Sequence, residues 1–98
     1  MAGFVQIVEI KTSRIDEVDA LIEEMRVGGG PMPMVRATMT ADRDEPDRYL
    51  SILEFESYEA AMENSNRPET AEVAQKMASL CDEPPRFRNL DVRRVEER

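Results

Sequence analysis

Residues 34 to 55, MVRATMTADRDEPDRYLSILEF, contain two strand-like segments joined by a short polar turn. The two segments with strand-like composition are Met34 to Thr40 and Arg48 to Phe55. Pro46 restricts the backbone of the turn between them. The connection is short enough for an antiparallel hairpin. Two neighbouring strands that follow a helix do not fit a simple βαβαβ order, so this stretch predicts an antiparallel sheet.

A strand and a helix precede the hairpin. Phe4 to Lys11 is short and rich in valine and isoleucine, which indicates a strand. Ser13 is the expected start of a helix, with Asp16 three residues later as in a capping box. Apolar residues then recur every three or four positions, as on one face of a helix. The glycines at 28 to 30 are expected to end that helix.

A second helical region and a last strand follow the hairpin. Ser57 is the expected N-cap of a helix from Tyr58 to Asn64, and Pro68 suits the first turn of the next helix, Glu69 to Leu80. Phe87 to Val95 alternates in character and is the predicted last strand. The β-α-β-β-α-β order predicts an α+β ferredoxin-like domain, residues 1–98, whose four-stranded antiparallel sheet carries both helices on one face.

Composition restricts the partners of this domain. The 98 residues include 13 Lys and Arg against 21 Asp and Glu, a formal net charge of −8. Such a surface repels phosphate backbones, so no nucleic-acid partner is expected. Neither a secretory leader nor a run of apolar residues long enough to span a membrane is evident. Cys81 is the only cysteine, which fits a reducing cytoplasm and a packing role for its thiol.

The strands expected at the centre of the sheet are apolar on both faces. A sheet with one wet face should alternate between apolar and polar residues, and the first and third strands do not. In the first strand, one face carries Phe4, Val8 and Ile10 and the other carries Val5 and Ile7. In the third strand, one face carries Tyr49, Leu53 and Phe55 and the other carries Leu50 and Ile52. The helix-free face is therefore expected to be sealed by a second copy in a two-fold homodimer. The alternative is a monomer that uses this face as a ligand groove.

Residues 53 to 80, LEFESYEAAMENSNRPETAEVAQKMASL, together with the order of elements, resemble the dimeric α/β-barrel superfamily, in particular antibiotic-biosynthesis-monooxygenase-like domains. The resemblance implies a dimer whose sheets face each other and a ligand cavity between sheet and helices in each protomer. Some such enzymes oxidise polycyclic aromatic compounds with molecular oxygen and neither metal nor flavin. Others degrade haem with a histidine ligand and a tryptophan, and this sequence contains neither residue.

The cofactor-free enzymes use amide, aromatic and arginine side chains around an apolar cavity, where a phenolic substrate loses a proton and its anion is held. By this resemblance the candidate catalytic residues are Gln6, Arg36 and Tyr49. Gln6 also has a structural alternative, a bond across the dimer, and Arg36 the alternative of pairing with an acidic neighbour. Tyr49 has the alternative of an interface aromatic. Candidate ligand-binding residues are Thr38, Tyr58, Asn64 and Arg86.

Two functions remain open on the sequence alone. The first is a cofactor-independent monooxygenase acting on a small apolar or aromatic compound, and the second is a non-catalytic dimeric module that binds a small hydrophobic ligand. No metal is expected, because the sequence lacks histidine and its carboxylates have no ion-binding spacing. The segment from Gly28 to Pro33 has the methionines Met32, Met34 and Met39 beside its glycines, and it is either a lid over the ligand or a disordered loop.

Overall fold

The computed structural model describes residues 3–28 and 34–97, and of residues 25–28 the backbone alone. The predicted β-α-β-β-α-β order is confirmed, with the second helical region divided in two. The elements are β1 (Phe4–Lys11), α1 (Ile15–Gly28), β2 (Met34–Ala41), β3 (Arg48–Phe55), α2 (Tyr58–Ser65), α3 (Pro68–Ser79) and β4 (Arg86–Asp91). The hypothesis of a lid concerns residues 29–33, which lie outside the described residues.

The four strands form one antiparallel sheet in the order β2-β3-β1-β4. The first and third strands are therefore central, as predicted. Phe4 pairs with Phe55 on β3 and with Asp91 on β4, and these pairs fix the register across the sheet. The fold is the expected α+β ferredoxin-like arrangement.

Apolar packing lies on the helix side of the sheet, towards both ends of β1. Phe4, Phe55 and Ala61 form one buried cluster in which Met62 of α2 also packs. The rings of Phe4 and Phe55 have centroids 6.4 Å apart. Ile10, near the other end of β1, is buried as well, as are Val18 and Leu21 of α1. The middle of the sheet is less well covered, and this difference defines the candidate site.

Three helix starts test the capping predictions. Ser57 Oγ accepts a hydrogen bond from the backbone N–H of Ala60 at 3.1 Å, as expected for the N-cap of α2. Pro68 occupies the first turn of α3, also as expected. The prediction for α1 is wrong by one residue, because the carbonyl of Arg14 accepts the first helical bond, from Val18. The hydroxyl that accepts the backbone N–H of Arg14 belongs to Thr12.

The last strand is shorter than its alternation predicts. β4 ends at Asp91 rather than Val95, although the backbone N–H of Val92 still donates to the carbonyl of Gly3 at 3.1 Å. Beyond this bond the chain has no strand partner within the described residues. The helices of the described chain do not include one with the length and hydropathy needed to cross a membrane.

Candidate ligand site on the helix-facing side of the sheet

Strand register assigns each side chain to one face of the sheet. Directly paired residues of antiparallel strands point to the same face, and Phe4 and Phe55 contact Ala61 of α2. Their face is therefore the helix-facing side. The remaining strand residues on this side follow from the pairing and are Gln6, Val8, Ile10, Tyr49, Ser51, Leu53, Met34, Ala37, Met39, Ala41, Phe87, Asn89 and Asp91.

The middle of this side is incompletely covered by the helices. Phe4 and Ile10 are 2% and 3% exposed, whereas Gln6 and Val8 between them are only half-buried. Phe87, paired with Val8, is 56% exposed. We call this region the central trough and define it by the residues Gln6, Val8, Ser51, Leu53, Phe87 and Asn89. Apolar side chains with a few polar groups among them are the usual lining of a small-molecule site.

An amide pair provides most of the hydrogen-bonding capacity of the central trough. Gln6 and Asn89 are direct cross-strand partners on β1 and β4. Gln6 Nε2 donates to Asn89 Oδ1 at 3.1 Å. The bond is exposed, and it leaves N–H groups of each amide available to a ligand. Gln6 thus lies on the side of the sheet that the sequence resemblance implied.

Arg36 does not join Gln6, contrary to the sequence expectation of one catalytic set. A β-bulge between Met34 and Arg36 shifts the register, so that Met34 is on the helix-facing side and Arg36 on the opposite side. Arg36 Nε donates to Glu54 Oε2 at 2.6 Å. This hydrogen bond, with a smaller Coulomb contribution, lowers the pKa of Glu54. The alternative of pairing with an acidic neighbour describes Arg36 correctly.

The two tyrosines lie at opposite ends of the helix-facing side. Tyr49 pairs with Ile10 and is therefore on the same face as Gln6. Ile10 is four residues beyond Gln6 on β1, which corresponds to a distance of about 13 Å along the strand at the usual rise. Tyr58 is the first residue of α2 and is 51% exposed. Its ring contacts Phe4 edge-on, with centroids 5.5 Å apart. Tyr58 packs at one end of the trough, and Tyr49 lies at the other.

The other predicted ligand-binding residues are not brought together with Gln6. Thr38 pairs with Ile52 and Arg86 pairs with Glu9, which puts both on the helix-free side, where both are exposed. Asn64 Oδ1 accepts a hydrogen bond from Thr70 Oγ1 at 3.4 Å and so joins α2 to α3. The position of Asn64 fits the local role that caps and turns give to asparagine.

The helix-free side has an apolar centre and a charged border. Its central residues are Val5, Ile7, Leu50, Ile52 and Leu90, and Leu90 is 43% exposed. Its border includes Glu9, Lys11, Arg36, Arg48, Glu54, Arg86 and Arg88, with both signs of charge. No helix of the described chain packs on this side. An apolar centre with a polar rim is the usual composition of a protein interface.

Arg48 organises one corner of this border. Its guanidinium lies 3.4 Å from Glu9 Oε2, 3.4 Å from Glu83 Oε1 and 3.8 Å from Glu45 Oε2. The three carboxylates come from β1, from the hairpin turn and from the segment before β4. A single cation therefore joins three separate parts of the chain.

Of the central trough, sequence reasoning proposed only Gln6 as a site residue; it missed Val8 of β1 and Ser51, Leu53, Phe87 and Asn89 of β3 and β4. The alternation within β3 and β4 was visible, but it does not say which face meets the helices. The pairing of Gln6 with Asn89 depends on the register of strands far apart in sequence. The detectable signal was the amide-bearing residue Asn89 in the last strand, which is the neighbour of β1 in this topology.

Comparison with solved structures identifies this fold in other proteins. A monooxygenase from the gene ActVA-Orf6 of Streptomyces coelicolor, in complex with the ligand nanaomycin D, is 22% identical; the alignment covers 99% of this chain and 93% of that chain with a TM-score of 0.76. SnoaB, a cofactor-independent oxygenase from Streptomyces nogalater, is 16% identical over 96% of this chain and 97% of its own, with a TM-score of 0.74.

The fold also occurs in a conserved protein from Methanosarcina mazei Go1, with 10% identity, coverage of 95% of each chain and a TM-score of 0.75. No family model and no curated protein matches the sequence. The chain therefore has the same fold as these solved structures, two of which are monooxygenases or oxygenases, and this is the α+β fold that the sequence resemblance implied.

Proposed function

We propose that this chain is a cofactor-independent monooxygenase that acts on a small apolar or aromatic compound in the central trough. The observation that carries the proposal is the amide pair of Gln6 and Asn89 beside Val8, Leu53 and Phe87. The likeness in fold to SnoaB, a cofactor-independent oxygenase, supports the same reading. The apolar residues suit a flat carbon skeleton, and the amides suit its oxygen substituents.

The chemistry that such a site can support is proton removal followed by reaction with oxygen. An anthrone, which has a CH₂ group opposite a ring carbonyl, loses a proton to form an oxyanion conjugated with that carbon. Hydrogen-bond donors that face the oxyanion lower the pKa of the substrate and favour the ionised form. One atom of O₂ then becomes a second ring carbonyl, and the other leaves as water with the two CH₂ hydrogens.

The proposed roles of the residues follow from their positions. Gln6 donates to the substrate oxygen, and Tyr49 is proposed to hydrogen-bond the distal end of a ligand long enough to reach it. Tyr58 closes the opposite end by packing on Phe4. Arg36 is not proposed to act in this trough, because it lies on the other side of the sheet.

We further propose that two copies associate through their helix-free sides. The apolar centre formed by residues such as Ile7, Ile52 and Leu90 would be left in water by a lone chain. Each apolar side chain that becomes fully buried contributes about 1.5–3 kcal/mol. The mixed charges at the border allow a two-fold arrangement in which acidic residues of one copy meet basic residues of the other.

A cytoplasmic location is part of the proposal, and a single cysteine, which has no second cysteine in the chain to pair with, is in keeping with it. Cys81 Sγ donates to the carbonyl of Met77 at 3.1 Å. Burial, with a contribution from Asp82, raises the pKa of the Cys81 thiol. A thiol kept protonated in this way is a poor nucleophile, in keeping with a packing role in a reducing compartment.

The second candidate function is a non-catalytic dimeric module that binds a small hydrophobic ligand. The observation that favours it is the separation of the three expected catalytic residues, since Arg36 is on the opposite side and Tyr49 is distant from Gln6. A trough with amides but no neighbouring charged donor can bind a ligand without activating it.

Oxygen consumption distinguishes the two functions. The purified protein is mixed with a dihydroxyanthrone in air-saturated buffer, and oxygen uptake and anthraquinone formation are recorded against the slow uncatalysed oxidation. The proposed enzyme consumes one O₂ for each anthraquinone formed and is unaffected by a metal chelator. Saturable binding of the anthrone with oxidation no faster than in buffer would support the binding module and contradict the enzyme.

A further inference from the structure

We infer that residues 92–97 of one copy pair with the open edge of β2 of a second copy and so join the two chains of the dimer. We call these residues the C-terminal segment. The inference rests on the proposed function, because it requires the dimer formed by the helix-free sides. It goes further by naming the segment and the strand edge through which each copy contacts the other.

The C-terminal segment has the sequence of a strand but no strand partner. Alternation predicted a last strand that continues to Val95, whereas β4 ends at Asp91. Asp91 pairs with Phe4, the first residue of β1, so the neighbouring strand ends there. The N–H of Val92 makes the last backbone bond, to the carbonyl of Gly3. Beyond it the described backbone is unpaired and Val95 is 51% exposed, and unpaired strand backbone is available to another chain.

The edge of β2 is open and has little of the usual protection. β2 is the outermost strand beside β3, so one side of its backbone has no partner strand in the part of the chain that the structure describes. Natural edge strands are protected by charged residues, prolines, bulges or short length. Met34–Ala41 has eight residues, one charged residue, Arg36, and no proline. Its bulge affects only the first residues and leaves Val35 50% exposed.

Strand pairing shows that the C-terminal segment leaves the sheet at the level of the exposed end of β2. One row of paired residues crosses the whole sheet from β4 to β2 and consists of Asp91, Phe4, Phe55 and Met34. A two-fold axis parallel to the strands exchanges the two edges and keeps this level. Facing sheets are about 10 Å apart and six extended residues span about 20 Å, so the segment is long enough to reach β2 of the other copy.

Charges on the helix-free side favour this axis over one perpendicular to the strands. A perpendicular axis would put β4 of one copy over β4 of the other. Arg86 and Arg88 are both on the helix-free side of β4, are exposed, and have no ion pair among the described residues. Four guanidinium groups would then face one another, and like charges across an interface are destabilising. The parallel axis places the two arginines over Thr38 and Thr40 of β2, which are neutral.

The charges of the C-terminal segment are complementary to the same end of β2. The segment ends in Glu96 and Glu97, and Arg36 is the only charged residue of β2. Within one chain, Glu54 is the main cause of the raised pKa of Arg36, and the charge of Glu97 adds to it. No hydrogen bond or ion pair joins the segment to β2 of its own chain within the described residues. A lone chain therefore has the attraction without the backbone pairing, which the second copy provides.

The first test is cross-linking between two different chains. One chain carries Val35→Cys and an affinity tag, and the other carries Val95→Cys, both with Cys81→Ser so that no other thiol reacts. The chains are mixed, allowed to exchange and treated with a short bismaleimide. We expect a covalent product that contains one chain of each kind. Gln75→Cys in place of Val35→Cys is the matched control, because Gln75 is exposed on α3, and it should give no such product above random collision.

The second test removes the segment. A chain that ends at Val92 keeps the bond to Gly3 and loses three arginines and two glutamates, one net positive charge. Loss of several backbone hydrogen bonds should raise the dimer dissociation constant at least about tenfold, as measured by analytical ultracentrifugation. Lys76→Gln, at an exposed position of α3, removes the same charge and should leave the dissociation constant unchanged.

Thermal unfolding establishes that each variant folds. If the shortened chain does not fold, the full chain with both Arg94→Pro and Val95→Pro replaces it, because the two changes remove N–H donors from both sides of the segment. If Cys81→Ser prevents folding, Cys81→Ala replaces it.

Two results would overturn the inference. One is a cross-link that forms only within a single chain carrying both Val35→Cys and Val95→Cys, and the other is a shortened chain that dimerises as tightly as the unmodified one. If anthrone oxidation fails while positions 35 and 95 of different chains are cross-linked, the monooxygenase is wrong and the role of the segment is right. If a dimer oxidises the anthrone but neither cross-links nor responds to shortening, the enzyme is right and the role of the segment is wrong.

Discussion

Arg36 and Glu54 lie directly opposite each other across β2 and β3, and Arg36 Nε donates to Glu54 Oε2 at 2.6 Å on the helix-free side of the sheet. The β-bulge that leaves Val35 without a partner, and 50% exposed, turns Arg36 away from the helices. The arginine that the sequence offered for catalysis therefore belongs to the border of the predicted dimer interface.

Replacing Arg36 should change the ionisation of Glu54. The hydrogen bond lowers the pKa of Glu54 in the folded chain, so its stabilising effect is present above the ordinary pKa of glutamate and is lost as the pH falls through the lowered value. In Arg36→Gln we expect the pKa of Glu54 to rise towards its ordinary value. Carboxyl NMR titration measures it directly.

The same variant tests the placement of Arg36. Because Arg36 is outside the central trough, Arg36→Gln should bind a dihydroxyanthraquinone dye as tightly as the unmodified protein. Loss of dye binding with an unchanged Glu54 pKa would mean that Arg36 serves the ligand rather than Glu54.

The order of elements was predictable because each one has a local signal. Ser57 supplies a cap, Pro68 marks the start of α3, and the hairpin at residues 34–55 rules out a parallel sheet. Boundaries were less predictable. α1 begins at Ile15 because Thr12, through a bond to Arg14, arranges the preceding turn, and no spacing rule identifies that choice.

The candidate site was predictable only in part. Gln6 was recognised because a polar residue interrupts an apolar strand, but its partner Asn89 is 83 positions away and depends on strand register. The residues of the bulge, 34 to 36, include no glycine or proline that would have indicated it. Regular alternation therefore predicted that Arg36 lies on the same face as Met34. Register and bulges are set by packing of the whole sheet, which local patterns do not contain.

Thr12 is expected to be the most sensitive polar residue of the described core. It is fully buried, its hydroxyl donates to the carbonyl of Leu80 at 2.5 Å, and it accepts from the N–H of Arg14 at 2.9 Å. Thr12→Val keeps the shape and leaves both partners without a bond, so it should lower the free energy of unfolding by about 1–3 kcal/mol. Urea unfolding measures the change. Ser13→Ala, which also removes a hydroxyl but at an exposed position, should cost less than about 0.5 kcal/mol; equal losses would refute the role given to Thr12.

Arg48 should stabilise the chain in a salt-dependent way. It joins Glu9, Glu45 and Glu83, and removing it leaves three carboxylates near one another. Partly exposed ion pairs contribute little individually, so Arg48→Gln should lower the free energy of unfolding by about 1 kcal/mol, and by less in high salt. Urea unfolding at two salt concentrations tests this, with Arg43→Gln in the exposed turn as the control. A loss that is independent of salt would attribute the effect of Arg48 to packing.

Substitutions of two exposed apolar residues of β4 test the helix-free side as the dimer interface and the helix-facing side as the ligand site. Leu90 is on the helix-free side and Phe87 on the helix-facing side. Leu90→Asp should reduce the light-scattering mass from twice the chain mass of 11.2 kDa to that of one chain, and Phe87→Asp should leave the dimer intact while weakening dye binding. Circular dichroism verifies that both variants fold. A single-chain mass for the unmodified protein at micromolar concentration would contradict the dimer.

The most direct test of the central claim, that the helix-facing side of the sheet is the ligand site, is NMR observation of side-chain N–H signals during titration with the dihydroxyanthraquinone. We predict that the amide signals of Gln6 and Asn89 shift together and saturate with the dye, while the Arg36 Nε–H signal does not move. Saturable shifts of the Arg36 signal, with the signals of Gln6 and Asn89 unchanged, would contradict the account.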